Sequence, residues 1–425
     1  MLSLTTGRWM RRFHTLGLNA ELVNALKKNG ISKPSQVQRL AIPLILDDAR
    51  PDVVVGAETG SGKTLAYLLP LIQRLQSAGN SLLQKPAAIV MVPNQELVKQ
   101  IEVVANTYAA HIPFACLTKT NAIPRYASIV VGTPKAILEH TSPKDMHFVE
   151  TIVVDEADML LGGGFERDTK QVLGVIRNQP LLDPKFNVRV DDFDNTVEIP
   201  VARYHRQTIF SAATIPTYGR LAVSEYLKRT FPDAEYAITE QFHRTVPTLD
   251  QKFVHLNGSA TREQVLLKVL REDEEQDGCT LIFVDSVASA KNLHAFLTSE
   301  SIECMMLHKE IPREERTNVL RQVAASSGQK HIVVATDIAA RGLDLPNVNH
   351  VIQYEFATDV VSHIHRIGRT ARGGSSGKVT NLIGDENKLV YNEIAAAGSH
   401  GSLTKGFSRR RSLRKKFKKN QTPSR

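Results

Sequence analysis

The chain has 425 residues, 42% of them hydrophobic, enough for two domains with substantial cores and too apolar to be disordered throughout. Cys116, Cys279 and Cys304 form no CxxC pair, which argues against a zinc module or a disulfide framework and fits a reducing compartment. The formal charge of +9 is uneven: residues 405–425 carry ten Lys or Arg, residues 1–20 carry Arg8, Arg11 and Arg12, neither stretch has an acid, and about −4 is left for the body.

In chain order, β-branched runs at Asp52 to Gly56, Ala87 to Val92, Ser128 to Gly132, Thr151 to Val154 and Gln207 to Ser211 alternate with helical patterns. That alternation predicts parallel strands joined by crossover helices. Leu65, Leu68, Leu69, Ile72 and Leu75 fall at helical spacing and give the first crossover helix one buried face. A second set of runs follows at Lys252 to Leu256, Thr280 to Val284, His331 to Ala335, His350 to Tyr354 and Lys378 to Ile383, so two α/β domains are expected in tandem. Residues 182–206, with Asp191, Asp192, Asp194 and two prolines, show no clear period and read as an inserted surface loop. Pro232, Asp233 and Pro247 interrupt the periodicity between the two sets, which places a linker at residues 236–250. No apolar run approaches the ~18 residues that a membrane span requires, so a soluble protein without membrane contact is expected.

Directly after the first strand comes Ala57-Glu58-Thr59-Gly60-Ser61-Gly62-Lys63-Thr64, in the strand–loop–helix context of a phosphate-binding loop. Gly60 and Gly62 let backbone N–H groups face phosphate oxygens, Lys63 reaches the β- and γ-phosphates, and the Thr64 hydroxyl suits Mg2+ at a helix N-terminus. The first glycine of the generic pattern is Ala57 here, a small residue the loop can accommodate. The Thr151 to Val154 strand delivers Asp155 and Glu156 to the carboxyl edge of the sheet, where open α/β sheets bind ligands. Asp155 is expected to hold magnesium through water, and Glu156 to activate the water that attacks the γ-phosphate.

Together, Ala57 to Thr64 and Asp155-Glu156-Ala157-Asp158 resemble the DEAD-box RNA helicases of superfamily 2, and the resemblance extends over residues 13 to 385. Phe13 with Gly30-Ile31-Ser32-Lys33-Pro34-Ser35-Gln36-Val37-Gln38 is similar to the family's Q motif, at residues 13–38. Ala335 to Asp344 resembles motif V, and His365-Arg366-Ile367-Gly368-Arg369-Thr370-Ala371-Arg372 resembles motif VI. The resemblance implies two RecA-like domains with parallel sheets, an ATP-binding one at 39–235 and a C-terminal one at 251–398, followed by a basic tail at 399–425. It implies ATP, with Phe13 stacked on adenine, Gln38 reading its edge, Lys33 nearby and Asp344 on the ribose. Arg369 and Arg372 become arginine fingers for the γ-phosphoryl, acting with Lys63, Asp155 and Glu156. RNA is implied as the partner, held through its backbone by Pro93, Asn94, Gln95, Gly132, Thr133, Pro134, Lys135, Thr336 and Arg341. Asp158, Ala212, Ala213, Thr214, His365 and Arg366 would couple hydrolysis to RNA rearrangement.

Departures from the family pattern concern RNA. Motif Ia lacks its arginine, replaced by Gln95. Motif Ib has Lys135-Ala136 in place of Gly-Arg, and the glycine pair between them is missing around Leu117-Thr118-Lys119-Thr120. The Ser-Ala-Thr motif falls on Ala212-Ala213-Thr214, with its serine displaced to Ser211. The leading expectation is an RNA-stimulated ATPase that unwinds or remodels RNA. The acid-free start, the insertion and the Arg-rich tail resemble DEAD-box helicases of mitochondrial ribosome assembly, which implies that process and assembly proteins as partners. An ATP-gated RNA clamp that scaffolds with little unwinding is the alternative. A basic tail attracts polyanions, nucleic acid above all, or serves as an address signal. The acid-free residues 1–12 suit a mitochondrial presequence, with the nucleolus or cytoplasm as the alternative location, and the protein is expected to be a monomer.

Overall fold

A computed structural model describes residues 12–399 apart from 79–85, 110–111, 118–126, 143–144, 163, 179–186, 191–195, 200–205, 216–222, 243–247, 257, 259, 274–276, 326–328, 338–344, 346 and 373–374. The chain divides into two compact units; the first runs to Phe242, except that Glu58–Gly60 of the phosphate loop group with the second.

In the first unit the strands are β1 (Val53–Gly56), β2 (Ala88–Met91), β3 (Phe114–Cys116), β4 (Ile129–Gly132), β5 (Thr151–Asp155), β6 (Asn187–Val190), β7 (Thr196–Ile199), β8 (Gln207–Ala212) and β9 (Glu235–Ile238). Apart from β6 and β7, they form one parallel sheet in the order β3-β4-β2-β5-β8-β1-β9. All residues of β1, β2, β4, β5 and β8 are buried, because helices cover both faces of the sheet. Side chains alternate across the pleat: Val53 and Val55 join the core under helix Lys63–Ala78, and Val54 joins the core under helices Ala157–Gly162 and Glu166–Asn178. Leu68, Leu69, Ile72 and Leu75 of the crossover helix are buried, as their spacing predicts.

In the second unit β10 (Leu249–His255), β11 (Gly278–Val284), β12 (Met305–Leu307), β13 (Lys330–Thr336), β14 (Val348–Gln353) and β15 (Gly377–Ile383) form a parallel sheet in the order β10-β15-β14-β11-β13-β12. Leu281 and Phe283 face one core, Ile282 and Val284 the other. Both units are RecA-like α/β sheets, as the resemblance implies.

Two expectations need correction. The segment read as a linker at residues 236–250 carries structure at both ends: residues 236–238 belong to β9, which pairs with β1, and residues 249–250 open β10. Ala237 is buried against the first core and supplies the apolar contact that the prolines concealed. The segment read as a loop at residues 182–206 contains an antiparallel pair, β6 with β7. The acidic residues Asp191, Asp192 and Asp194 between these strands lie outside the described residues.

Candidate nucleotide-hydrolysis site

The phosphate loop follows β1 and ends at helix Lys63–Ala78. Gly60 and Gly62 both have positive φ, +77° and +91°, and a Cβ on Gly62 would sit 2.6 Å from Gln38 Nε2. Only glycine serves at position 62, because both backbone handedness and the close approach of Gln38 exclude a side chain. The Lys63 ammonium arches back across the loop and donates to the Ala57 carbonyl at 2.8 Å. Thr64 lies in the first helical turn and is half-buried.

Gln38 sits in the first turn of helix Gln36–Leu46, where it completes a capping box. Its Oε1 accepts from the Ser35 N–H at 2.9 Å, and its Nε2 donates to the Gly62 carbonyl at 3.2 Å. The amide keeps a second N–H and a second lone pair, the complement of the N7 and N6 edge of adenine. Phe13 and Lys33 come together in the wall of an open cavity of about 730 Å³, with Arg12, His14, Lys27, Pro34 and Arg39, whereas Gln38 is turned to the phosphate loop. Asp344 falls outside the described residues.

Asp155 ends β5 and is 5% exposed. Its Oδ2 accepts from the Tyr67 hydroxyl at 2.9 Å and its Oδ1 from the Glu156 N–H at 3.0 Å. Burial raises the Asp155 pKa above the usual carboxylate range and Glu156 adds to the rise, while Ser211, Tyr67 and Lys63 oppose it. Glu156 itself has φ +51°, a left-handed backbone that costs a non-glycine residue roughly 1–2 kcal/mol. That strain turns the chain out of the sheet into helix Ala157–Gly162. The oxygen donors Thr64 and Asp155 fit magnesium, which takes few protein ligands and keeps its waters. A carboxylate whose pKa is raised by burial and then by a carboxylate neighbour also leaves room for a cation's charge.

Strand β8 sets Ser211 directly beside Asp155 in the parallel register. Ala212 and Ala213 are buried, and the Thr214 hydroxyl donates to Asp158 Oδ2, which is itself buried. The threonine of the displaced motif thus bonds the last acid of the Asp155 to Asp158 run, and the serine lies in register beside the first.

The RNA-contact candidates of the first unit cluster at the carboxyl ends of neighbouring strands, since Met91 of β2 pairs with Gly132 of β4. Pro93 and Asn94 follow β2, and Asn94 Oδ1 caps the next helix by accepting from the Leu97 N–H at 2.9 Å. Gln95, in the place of the family arginine, donates to the Leu117 carbonyl at 3.2 Å. Thr133 caps the helix opened by Pro134, and Lys135 is exposed. In the second unit Thr336 ends β13 and is buried, and Arg341 lies outside the described residues.

The motif VI arginines divide. Arg366, expected to couple hydrolysis to RNA, is 1% exposed and braces its own unit. Its guanidinium donates to Asp337 at 2.6 and 3.0 Å, to Asp285 at 2.7 Å and to the Glu355 carbonyl at 2.5 Å. Five donors in a planar fork explain why arginine alone can tie these three chain segments. Arg369 and Arg372 follow at a helix end, where their Nε atoms donate to the carbonyls of His365 at 3.3 Å and Gly368 at 3.0 Å. His365 is buried beside them. Tyr67 was missed in the sequence because an aromatic inside an apolar helix reads as core.

Fold and site together define a P-loop nucleotide hydrolase of the helicase type. Residues 35–221 match the DEAD/DEAH box helicase family and residues 261–374 the helicase conserved C-terminal domain. The chain is 30% identical to DEAD-box ATP-dependent RNA helicase 22 of Oryza sativa subsp. japonica, over 96% of the chain and 84% of the relative. It is 29% identical to DEAD-box ATP-dependent RNA helicase 39 of Arabidopsis thaliana, over 91% of the chain but 61% of the relative's length. Among solved structures, S. cerevisiae Dbp5 bound to RNA and ADP BeF3 superposes with a TM-score of 0.72 at 24% identity, covering 97% of this chain and all of that one. The chain belongs to the DEAD-box ATP-dependent RNA helicases.

Proposed function

We propose that the protein hydrolyses ATP in an RNA-stimulated reaction and uses that turnover to separate short duplexes or remodel RNA–protein contacts. The observation that carries this is the bond from Tyr67 to Asp155, which brings the helix of Lys63 and Thr64 to the strand end of Asp155 and Glu156. Lys63 holds the phosphates, Thr64 and Asp155 hold Mg2+, and Glu156 takes the proton of the attacking water. Bound magnesium supplies charge neutralisation at the phosphates. Arg369 and Arg372 of the second unit stabilise the charge that spreads over the transferring group. Phe13, Lys33, Gln38 and Asp344 select adenosine. Pro93 to Gln95, Gly132 to Lys135, Thr336 and Arg341 grip the RNA backbone, and the family name of the relatives supports RNA as the substrate.

The basic tail supplements this grip. Arg409, Arg410, Arg411, Arg414, Lys415, Lys416, Lys418 and Lys419 are interleaved with Phe407, Leu413 and Phe417, giving phosphate contacts with stacking capacity. Deleting residues 405–425 is expected to weaken RNA binding and flatten its salt dependence, by about 0.7 in log–log slope for each single-strand phosphate that the tail no longer neutralises. Binding isotherms at several salt concentrations check this, and an unchanged slope rejects it.

The acid-free, arginine-bearing first twenty residues suit a mitochondrial presequence, against the nucleolus or cytoplasm. The resemblance of that start, the insertion and the Arg-rich tail to helicases of mitochondrial ribosome assembly is the support for a role in that process. Imaging of the protein tagged at its C-terminus tests the compartment. For the enzyme itself, ATPase rates with and without RNA are measured beside strand displacement of a short duplex. RNA-stimulated turnover with displacement supports the helicase reading. RNA-stimulated turnover without displacement favours an ATP-gated clamp, a reading supported by Gln95, whose amide is engaged with Leu117 where the family has an arginine.

A further inference from the structure

Tyr67 is fully buried, and its hydroxyl must find an acceptor to be tolerated there. A phenylalanine would fill the same core volume, so the hydroxyl serves something other than packing. The acceptor it finds is Asp155 Oδ2, at 2.9 Å, while the other oxygen of the same carboxylate accepts from the Glu156 N–H at 3.0 Å. Two hydrogen bonds, one on each oxygen and from different directions, fix the carboxylate's rotation and thus the direction of its remaining lone pairs. Tyr67 also stands three residues after Thr64 on the same helix, so the two share one helical face.

We propose that Tyr67 is a positioning residue for the metal: its hydroxyl locks the rotation of Asp155 and ties that carboxylate to the helical turn bearing Thr64. This rests on the reading that Thr64 and Asp155 hold Mg2+. Tyr67 acts through Asp155 and is not itself assigned as a ligand. It holds both donors in one frame, so the metal meets them already oriented. Partners of this outer kind are worth about 10–100-fold in metal affinity where they have been removed from other sites.

The test uses the full chain, a non-hydrolysable ATP analogue and Mn2+ as the probe, with free Mn2+ read by electron paramagnetic resonance. Tyr67→Phe is expected to weaken nucleotide-dependent Mn2+ binding about tenfold. Binding of the analogue in EDTA should stay close to that of the parent protein. Replacing Tyr67 with 4-aminophenylalanine restores a donor at the same place and should recover most of the loss. Mn2+ affinity within twofold of the parent in Tyr67→Phe overturns the proposal. So does a loss that 4-aminophenylalanine leaves unrecovered, since that assigns the effect to packing. If the parent protein itself shows no nucleotide-dependent Mn2+ binding, the magnesium site at Thr64 and Asp155 falls, and the role of Tyr67 with it.

Discussion

In the first unit the buried carboxylate of Asp155 is met by one hydroxyl and one backbone N–H and faced by one ammonium, whereas in the second the buried guanidinium of Arg366 is met by two carboxylates and a carbonyl. The pKa directions follow. Burial raises the Asp155 pKa and so works against its charged form, and its neighbours only partly offset this. Burial also works against the charged form of Arg366, but Asp337 and Asp285 outweigh it and the pKa ends above its ordinary value. A buried charge that the protein leaves under-compensated awaits a ligand, and one that it saturates is a brace. The same unit carries His363, fully buried between Gln353 and Gln251, with its pKa pushed down to about 3 by burial and by Arg366.

If this division is right, substitutions in the two places should fail in different measurements. Glu156→Gln should lower RNA-stimulated ATP turnover by roughly 10²–10⁴-fold, the range for loss of a positioned general base, while ATP binding and thermal midpoint stay near the parent values. Phosphate release and binding of a fluorescent ATP analogue check both halves. Persisting RNA-stimulated hydrolysis would remove Glu156 from its role.

Arg366→Met should do the reverse and destabilise the chain by roughly 3 kcal/mol, since two carboxylates lose the partner that neutralises them. The low end of the range is appropriate because the Asp285 and Asp337 side chains keep 40% and 24% of their exposure. Denaturant unfolding measures it, and adding Asp285→Asn with Asp337→Asn should restore part of the loss. A full-stability Arg366→Met protein with lost RNA coupling would return Arg366 to the role its motif suggests.

His363 supplies a pH test of the second unit. Its folded pKa of about 3 lies below the ordinary value of 6.5, so the unfolded chain binds the proton first as pH falls. The stability it contributes is therefore present above about pH 6.5 and is lost as pH falls towards 3, at up to about 1.4 kcal/mol per pH unit. Unfolding free energies at pH 7, 6 and 5 should show this slope, and His363→Gln should reduce it by up to one proton's worth. An unchanged slope means that other groups carry the acid sensitivity.

Much of this was legible in the sequence. The strands that carry motifs are buried on both faces, so their β-branched runs stand out, and Lys63, Asp155 and Glu156 fall where a strand–loop–helix pattern puts them. Strands β3, β9 and β12 were not legible, because they are partly exposed and lack the continuous apolar run that marks the equally short but fully buried β1, β2 and β4. The division among Arg366, Arg369 and Arg372 was hidden as well. In one dimension the three are alike, and only Asp285 and Asp337, brought in by strands β11 and β13 from far along the chain, single out Arg366. The same holds for Tyr67, whose partner is 88 residues away.

The contrast also predicts where charge should not matter. Lys135 and Glu139 form an ion pair four residues apart on one helix, 3.7 Å long, with side chains 75% and 53% exposed. Water screens such a pair, and holding two long side chains in one geometry costs most of what the attraction returns. Glu139→Ala should therefore change stability by less than about 0.5 kcal/mol in the same denaturant assay. It should also leave Lys135 with one fewer competitor for RNA phosphates, so RNA affinity at low salt should rise slightly and the gain should vanish at high salt. A loss of stability comparable to that of Arg366→Met would show that exposure does not separate the two kinds of charge, and the division drawn between the units would fail at its simplest point.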